Sequence, residues 1–166
     1  MNKKSIIILF FIIILNINCG IYSFSGATYG TAETVTIEFF ENIAPIVNPD
    51  LSQNFTEKLK DKFISQTPLT LVSYDGDMQF EGKIVGYDSK PQEIQTGETA
   101  ASNRLTITVK VKFTNNTAHE NDYERSFSWY ADYDSGTNLA DVEGELIEEI
   151  TDKLVEDVFN AAVVNW

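Results

Sequence analysis

One cysteine and one histidine are all that this 166-residue chain has of the two most versatile catalytic side chains. A lone cysteine cannot close an internal disulfide, so the core must be held by packing alone. A lone histidine, His119, sits beside Glu120 in a polar stretch where it reads as a solvated loop residue. With no second histidine and no lysine partner suited to a serine, no activated nucleophile stands out, and no catalytic residue is assigned. Basic residues are also scarce, twelve Lys and Arg against twenty-five Asp and Glu, for a formal charge of −13. That balance excludes the usual route to nucleic acid, in which cations displace the counterions of phosphate backbones. The nine glycines show no phosphate-cradling spacing, and neither repeats nor low-complexity tracts divide the chain. No cofactor is called for.

Long apolar runs are missing except at the start. Met1-Asn2-Lys3-Lys4 is basic, and an aliphatic run from Ile6 to Leu15 follows. This has the shape of a secretory signal and is shorter than the roughly 20 residues of a spanning helix. The cysteine comes directly after, in Asn16-Ile17-Asn18-Cys19-Gly20. There it resembles the lipobox cysteine of bacterial lipoproteins, although Asn18 and Asn16 stand where most lipoboxes carry a small residue and Leu. The alternatives are an ordinary signal with a chance cysteine, or a retained anchor. The lipobox reading divides the chain into a signal peptide over 1–18, an extended lipidated leader over 19–33 and one domain over 34–166. Cleavage would remove Lys3 and Lys4 and move the formal charge from −13 to −15.

Periodicity predicts the domain's elements. Val35, Ile37 and Phe39 alternate with Thr34, Thr36 and Glu38, as in a half-buried strand. Asn48-Pro49-Asp50 reads as a helix start, and Leu51, Phe55, Leu59 and Phe63 follow at steps of four as one apolar stripe that Pro68 ends. Leu69 to Val72 is a short strand, and Asp75-Gly76 is a hairpin-type turn signal. Three longer strands come next: Met78 to Ile84, Leu105 to Phe113, and Tyr123 to Tyr133 with Phe127 and Trp129 on one face. Asp134-Ser135-Gly136 breaks the last, and Val142, Leu146, Ile147, Ile150, Leu154 and Val158 predict a closing amphipathic helix from Leu139 to about Ala162. The expected fold is α+β, a mainly four-stranded sheet with two helices packed on one face.

In order and wording these segments resemble the lipopolysaccharide-assembly lipoprotein family, LptE, in the form found in Bacteroidota. The matching stretches are Cys19–Gly26, Asn48–Gln53, Asp77–Gly82, Asn103–Val109, Tyr130–Asp134 and Val163–Trp166. The resemblance implies a non-enzymatic protein of the outer membrane, anchored by acyl chains on Cys19. It further implies a role as plug and assembly aid of the LptD-type β-barrel, which places lipopolysaccharide in the outer leaflet. Gly20-Ile21-Tyr22 resembles neither an inner-membrane retention signal nor the acidic export signal of surface lipoproteins, so the domain is expected to face the periplasm.

Three constellations bear on function. Asp132, Asp134 and Glu143 fall at positions one, three and twelve of a calcium-loop template, but Gly136 is at position five where six is needed. The simpler reading is a strand-ending turn whose aspartates cap the next helix, and no metal site is assigned. The acidic run from Asp141 to Asp157 lies mostly off the apolar stripe, as a solvated helix face would. Alternate strand positions place Lys83, Lys110 and Lys112, with Arg104 and Arg125 nearby, as a candidate basic strip opposite the helices. Lipid A phosphates would need such cations, whereas alternate strand positions are also polar wherever water or a barrel lies outside. A free-standing periplasmic lipid carrier remains the alternative to a plug.

Overall fold

A computed structural model of the chain describes residues 31–46, 48–92 and 101–163. The signal, Cys19 and most of the expected leader lie outside the described residues. The strands are β1 (Thr34–Ile37), β2 (Glu41–Asn42), β3 (Thr70–Leu71), β4 (Met78–Pro91), β5 (Ser102–Asn115) and β6 (Tyr123–Asp134). The helices are α1 (Leu51–Gln66) and α2 (Leu139–Val163), with a short 3-10 turn at His119–Asn121. The fold is α+β, as the periodicity predicts, but the sheet has six strands where four main ones were expected. The order is β3-β1-β4-β5-β6, with β2 also on β4.

Both apolar stripes are core. Leu51, Phe55, Leu59 and Phe63 of α1, and Leu146, Ile147, Ile150, Leu154 and Val158 of α2, are buried against one face of the sheet. That face carries Leu105, Ile107, Val109, Val111 and Phe113, the alternate residues of β5. Aromatic rings link the layers in a continuous chain: Phe159–Phe63 and Phe63–Phe80 at 4.9 Å, Phe80–Phe113 at 4.8 Å, Phe113–Tyr123 at 5.2 Å and Tyr123–Phe127 at 6.2 Å. Offset and edge-to-face rings at these spacings contribute attraction beyond their buried area.

Four local features depart from the periodic reading. Asp75-Gly76 turns the chain, yet β3 and β4 do not form a hairpin; each pairs parallel with β1, which lies between them. The connection passes so close over β1 that a Cβ on Gly76 would sit 2.7 Å from the Thr36 nitrogen, and Asp75 takes a positive φ of 55° to make the turn. Second, the alternation of β1 stops at Ile37. Phe39 is 62% exposed and Phe40 is buried instead. The chain breaks step between β1 and β2 so that the Phe40 ring lies over Gly82, where a Cβ would approach it to 2.4 Å. Third, β4 runs on to Pro91 through an irregularity between Ile84 and Gly86. The extra residue, Val85, switches parity so that Ile84 and Tyr87 both face the core. Fourth, Asn138, rather than the aspartates of the preceding turn, caps α2, its side-chain oxygen accepting from the Ala140 N–H at 3.3 Å.

Candidate functional site

The face of the sheet away from the helices is polar because every strand that buries one set of alternate residues exposes the other. Lys83 of β4 and Lys110 of β5 are paired directly across the two strands. Lys112 is two residues further along β5, opposite Glu81 on one side and Glu124 on the other. These three lysines are brought together as the alternation predicts. Carboxylates, however, flank the cations in both rows. Lys112 binds Glu81 at 3.2 Å, Lys110 binds Glu124, and Glu41 lies opposite Lys83. The Glu124 carboxyl is held below its ordinary range by the hydrogen bond and charge of Lys110, with a smaller contribution from Lys112.

A shallow groove of about 480 Å³ runs along this strip. One wall is the strip itself, and the other is made by Phe39 and Ile43, both more than half exposed, with Val85 in the floor. The site is therefore amphiphilic, with cations beside an apolar lip. Sequence reasoning missed the lip because it placed Phe39 in the core. The signal was present in the doublet Phe39-Phe40, since adjacent residues of an extended chain point to opposite sides.

Arg104 and Arg125 do not join the three lysines. Arg104 is on the same face but six residues along β5 from Lys110, about 20 Å at the rise of a strand. Its guanidinium forms a two-pronged pair with Asp132 at 2.7 and 2.8 Å and lies 3.5 Å from the centre of the Tyr130 ring. Arg125 is on the other face. It pairs with Val111 in the ladder, so parity sends it to the helix side, where it lies over Tyr123 and Phe127 at 4.8 and 4.6 Å.

The calcium-loop candidates disperse likewise. Asp132 is committed to Arg104, Asp134 accepts from the Gly136 N–H at 2.7 Å, and Glu143 takes the hydroxyl of Tyr87. No cluster of three metal-ligating side chains occurs among the described residues. His119 is an exposed turn residue 3.2 Å from Asp122. On α2 the acidic face is mostly exposed, and Glu148 and Asp152 there hold Lys58 of α1, clasping the two helices. Among the described residues no helix is long and apolar enough to cross a membrane.

Solved structures with this arrangement of sheet and helices include the protein CT253 from Chlamydia trachomatis, at 10% identity and a TM-score of 0.52, covering 81% of this chain and 99% of that one. A neuraminyllactose-binding hemagglutinin homolog from Helicobacter pylori is similar at 7% identity and a TM-score of 0.52, covering 81% and 90%. A minor lipoprotein from Acinetobacter baumannii shows 13% identity and a TM-score of 0.48, covering 78% and 91%. At such identities the first two likenesses are of fold alone. No curated protein matches the sequence. The model of the LptE family, described as lipopolysaccharide-assembly, matches residues 32–162, which takes in every strand and nearly all of α2. The chain belongs to the LptE lipopolysaccharide-assembly family.

Proposed function

We propose that the protein is a non-enzymatic lipoprotein of the outer membrane that fills and helps assemble an LptD-type β-barrel during lipopolysaccharide transport. The signal over 1–18 is removed, acyl chains on Cys19 hold it at the periplasmic face, and the leader over 19–33 links the anchor to the domain. The family match across the whole folded domain carries this reading. The packing supports it over the carrier alternative. Space between sheet and helices, where a carrier would hold a lipid, is filled by Phe40, Phe55, Phe63, Phe80 and Phe113. What is open is a surface groove, and a surface is what a plug offers to its barrel.

Within this reading the Lys83–Lys110–Lys112 strip receives the phosphates of lipopolysaccharide and the Phe39–Ile43 lip receives the start of its acyl chains. Arg104 and Arg125, which are engaged elsewhere, contribute little. Co-purification in mild detergent from cells carrying the barrel tests the partnership. A near one-to-one complex is expected, and a lipoprotein that always elutes alone would refute it. In the complex, Lys110→Ala/Lys112→Ala should still fold and retain the barrel but bind lipopolysaccharide several-fold more weakly. Unchanged binding would remove the strip from the site.

A further inference from the structure

The two edges of the sheet are built differently. One edge is blunted: β3 and β2 are two residues each, β3 follows Pro68, and β1 is broken from β2. The other is β6, twelve residues long and paired without interruption to β5 from Tyr123 to Asp134. Soluble proteins blunt such an edge with proline, lysine, a bulge or a covering element. β6 has no proline, no lysine and no bulge, and its central six residues, Ser126–Ala131, carry no charge.

The ladder fixes which groups of β6 are free among the described residues. Ser135 donates to the Ala101 carbonyl directly opposite, so odd-numbered residues of β6 form the closely bonded pairs with β5. Gln92 bonded to Ser102 gives the same phase on the other side of β5. The N–H and C=O groups of Glu124, Ser126, Ser128, Tyr130 and Asp132 therefore point away from the sheet. Beside them Trp129, on the helix-facing side, is 37% exposed. A cleft of about 450 Å³ opens next to it between β6 and α2, lined by Arg125, Phe127, Asp157 and Asn160.

We infer that β6 accepts a seventh strand from a partner, an extended segment whose alternate apolar side chains pack on Trp129 and Phe127. A second copy of this chain is a poor occupant. Pairing β6 with itself about its centre, with faces kept, sets Glu124 against Asp132 in one register and against Asp134 in the next. Like charges directly opposite are destabilising, and each copy is strongly acidic overall, −13 for the full chain. The occupant is accordingly a non-acidic segment of another protein. Resting on the barrel-partner reading, it is a loop or terminal segment of that barrel, because the strands of a closed barrel have no free edge to give. Strand addition of this kind draws affinity from main-chain hydrogen bonds and specificity from alternate side-chain pockets.

Ser128→Pro removes an outward N–H and leaves the backbone ladder to β5 intact, losing only the Oγ contacts with Thr108 and the Ile107 carbonyl, and an edge strand tolerates proline where its N–H faces outward. The variant should melt close to the parent yet retain the co-purified barrel about five- to tenfold less well, as expected for one lost hydrogen bond and a disturbed neighbour. Ser128→Ala, which loses the same Oγ contacts but keeps the N–H, should retain the barrel as the parent does. In the wild-type complex, amide exchange at Ser126, Ser128 and Tyr130 should slow, while the already bonded Phe127 and Trp129 change little. If the wild type brings down no barrel, the barrel reading and this inference fall together. If the barrel is retained equally by Ser128→Pro, or the even-numbered amides exchange unchanged, only the strand addition is overturned. Slowed exchange in the protein alone, at concentrations where light scattering reports a dimer, would overturn it in favour of self-pairing.

Discussion

Asp77 shows how much one polar side chain organises here. Its carboxylate accepts from the backbone N–H of Glu33 at 2.9 Å, the N–H of Thr34 at 3.0 Å and the Thr34 hydroxyl at 2.8 Å, tying the entry of β1 to the start of β4. These donors, the Glu33 N–H foremost, hold its pKa below the ordinary value. A depressed carboxyl stabilises the fold fully above its unfolded pKa, near about pH 4, and that contribution is lost as pH falls through the lower folded value. Asp77→Asn should therefore melt below the parent at pH 6, and the gap should close as the melts are repeated toward pH 2. A gap independent of pH would mean that the charge is immaterial. Thr151 is the opposite case, a fully buried hydroxyl in α2 without a hydrogen-bond partner among the described residues. Such a group retains its desolvation cost with nothing to offset it. Thr151→Val, nearly isosteric, should stabilise by about 1 kcal/mol in chemical denaturation, and a loss of stability would show that the hydroxyl is satisfied in solution.

The two helices depend on their stripes for stability. Nothing acidic lies in the first turn of α1, and its cap residue Asp50 makes no side-chain bond. Its stability therefore comes from tertiary burial of the apolar face. Leu59, with no exposed surface at the centre of the stripe, should cost about 2–5 kcal/mol on replacement by Ala. That is a large share of the roughly 5–15 kcal/mol of a typical domain. A Leu59→Ala protein that melts like the parent would overturn the core assignment. The clasp of Lys58 to Glu148 and Asp152 is partly exposed, so it matters less than the packing beneath it.

For the molecule as a whole, among the described residues the helices cover one face of the sheet and leave the other face and one long edge open. In the proposed reading the acyl chains on Cys19 hold this two-faced domain at the membrane. Cys19→Ala should abolish acyl labelling and shift the protein to the soluble fraction, and labelling that persists would exclude that residue as the anchor. The identity of the elements was legible in the residues themselves. Leu51, Phe55, Leu59 and Phe63 at steps of four can only make one helix face, and the alternation of Leu105 to Phe113 can only make one sheet face, because backbone geometry sets both periods. The Lys83–Lys110–Lys112 grouping followed from the same rule. What lay beyond the sequence was everything that turns on which segments meet. That β1 slips between β3 and β4, that Phe40 displaces Phe39 from the core over Gly82, and that Arg125 falls on the helix side are settled by ladder register and close approach. Local periodicity carries no information about register or approach, since a shift of one residue exchanges the two faces of a strand without changing its composition.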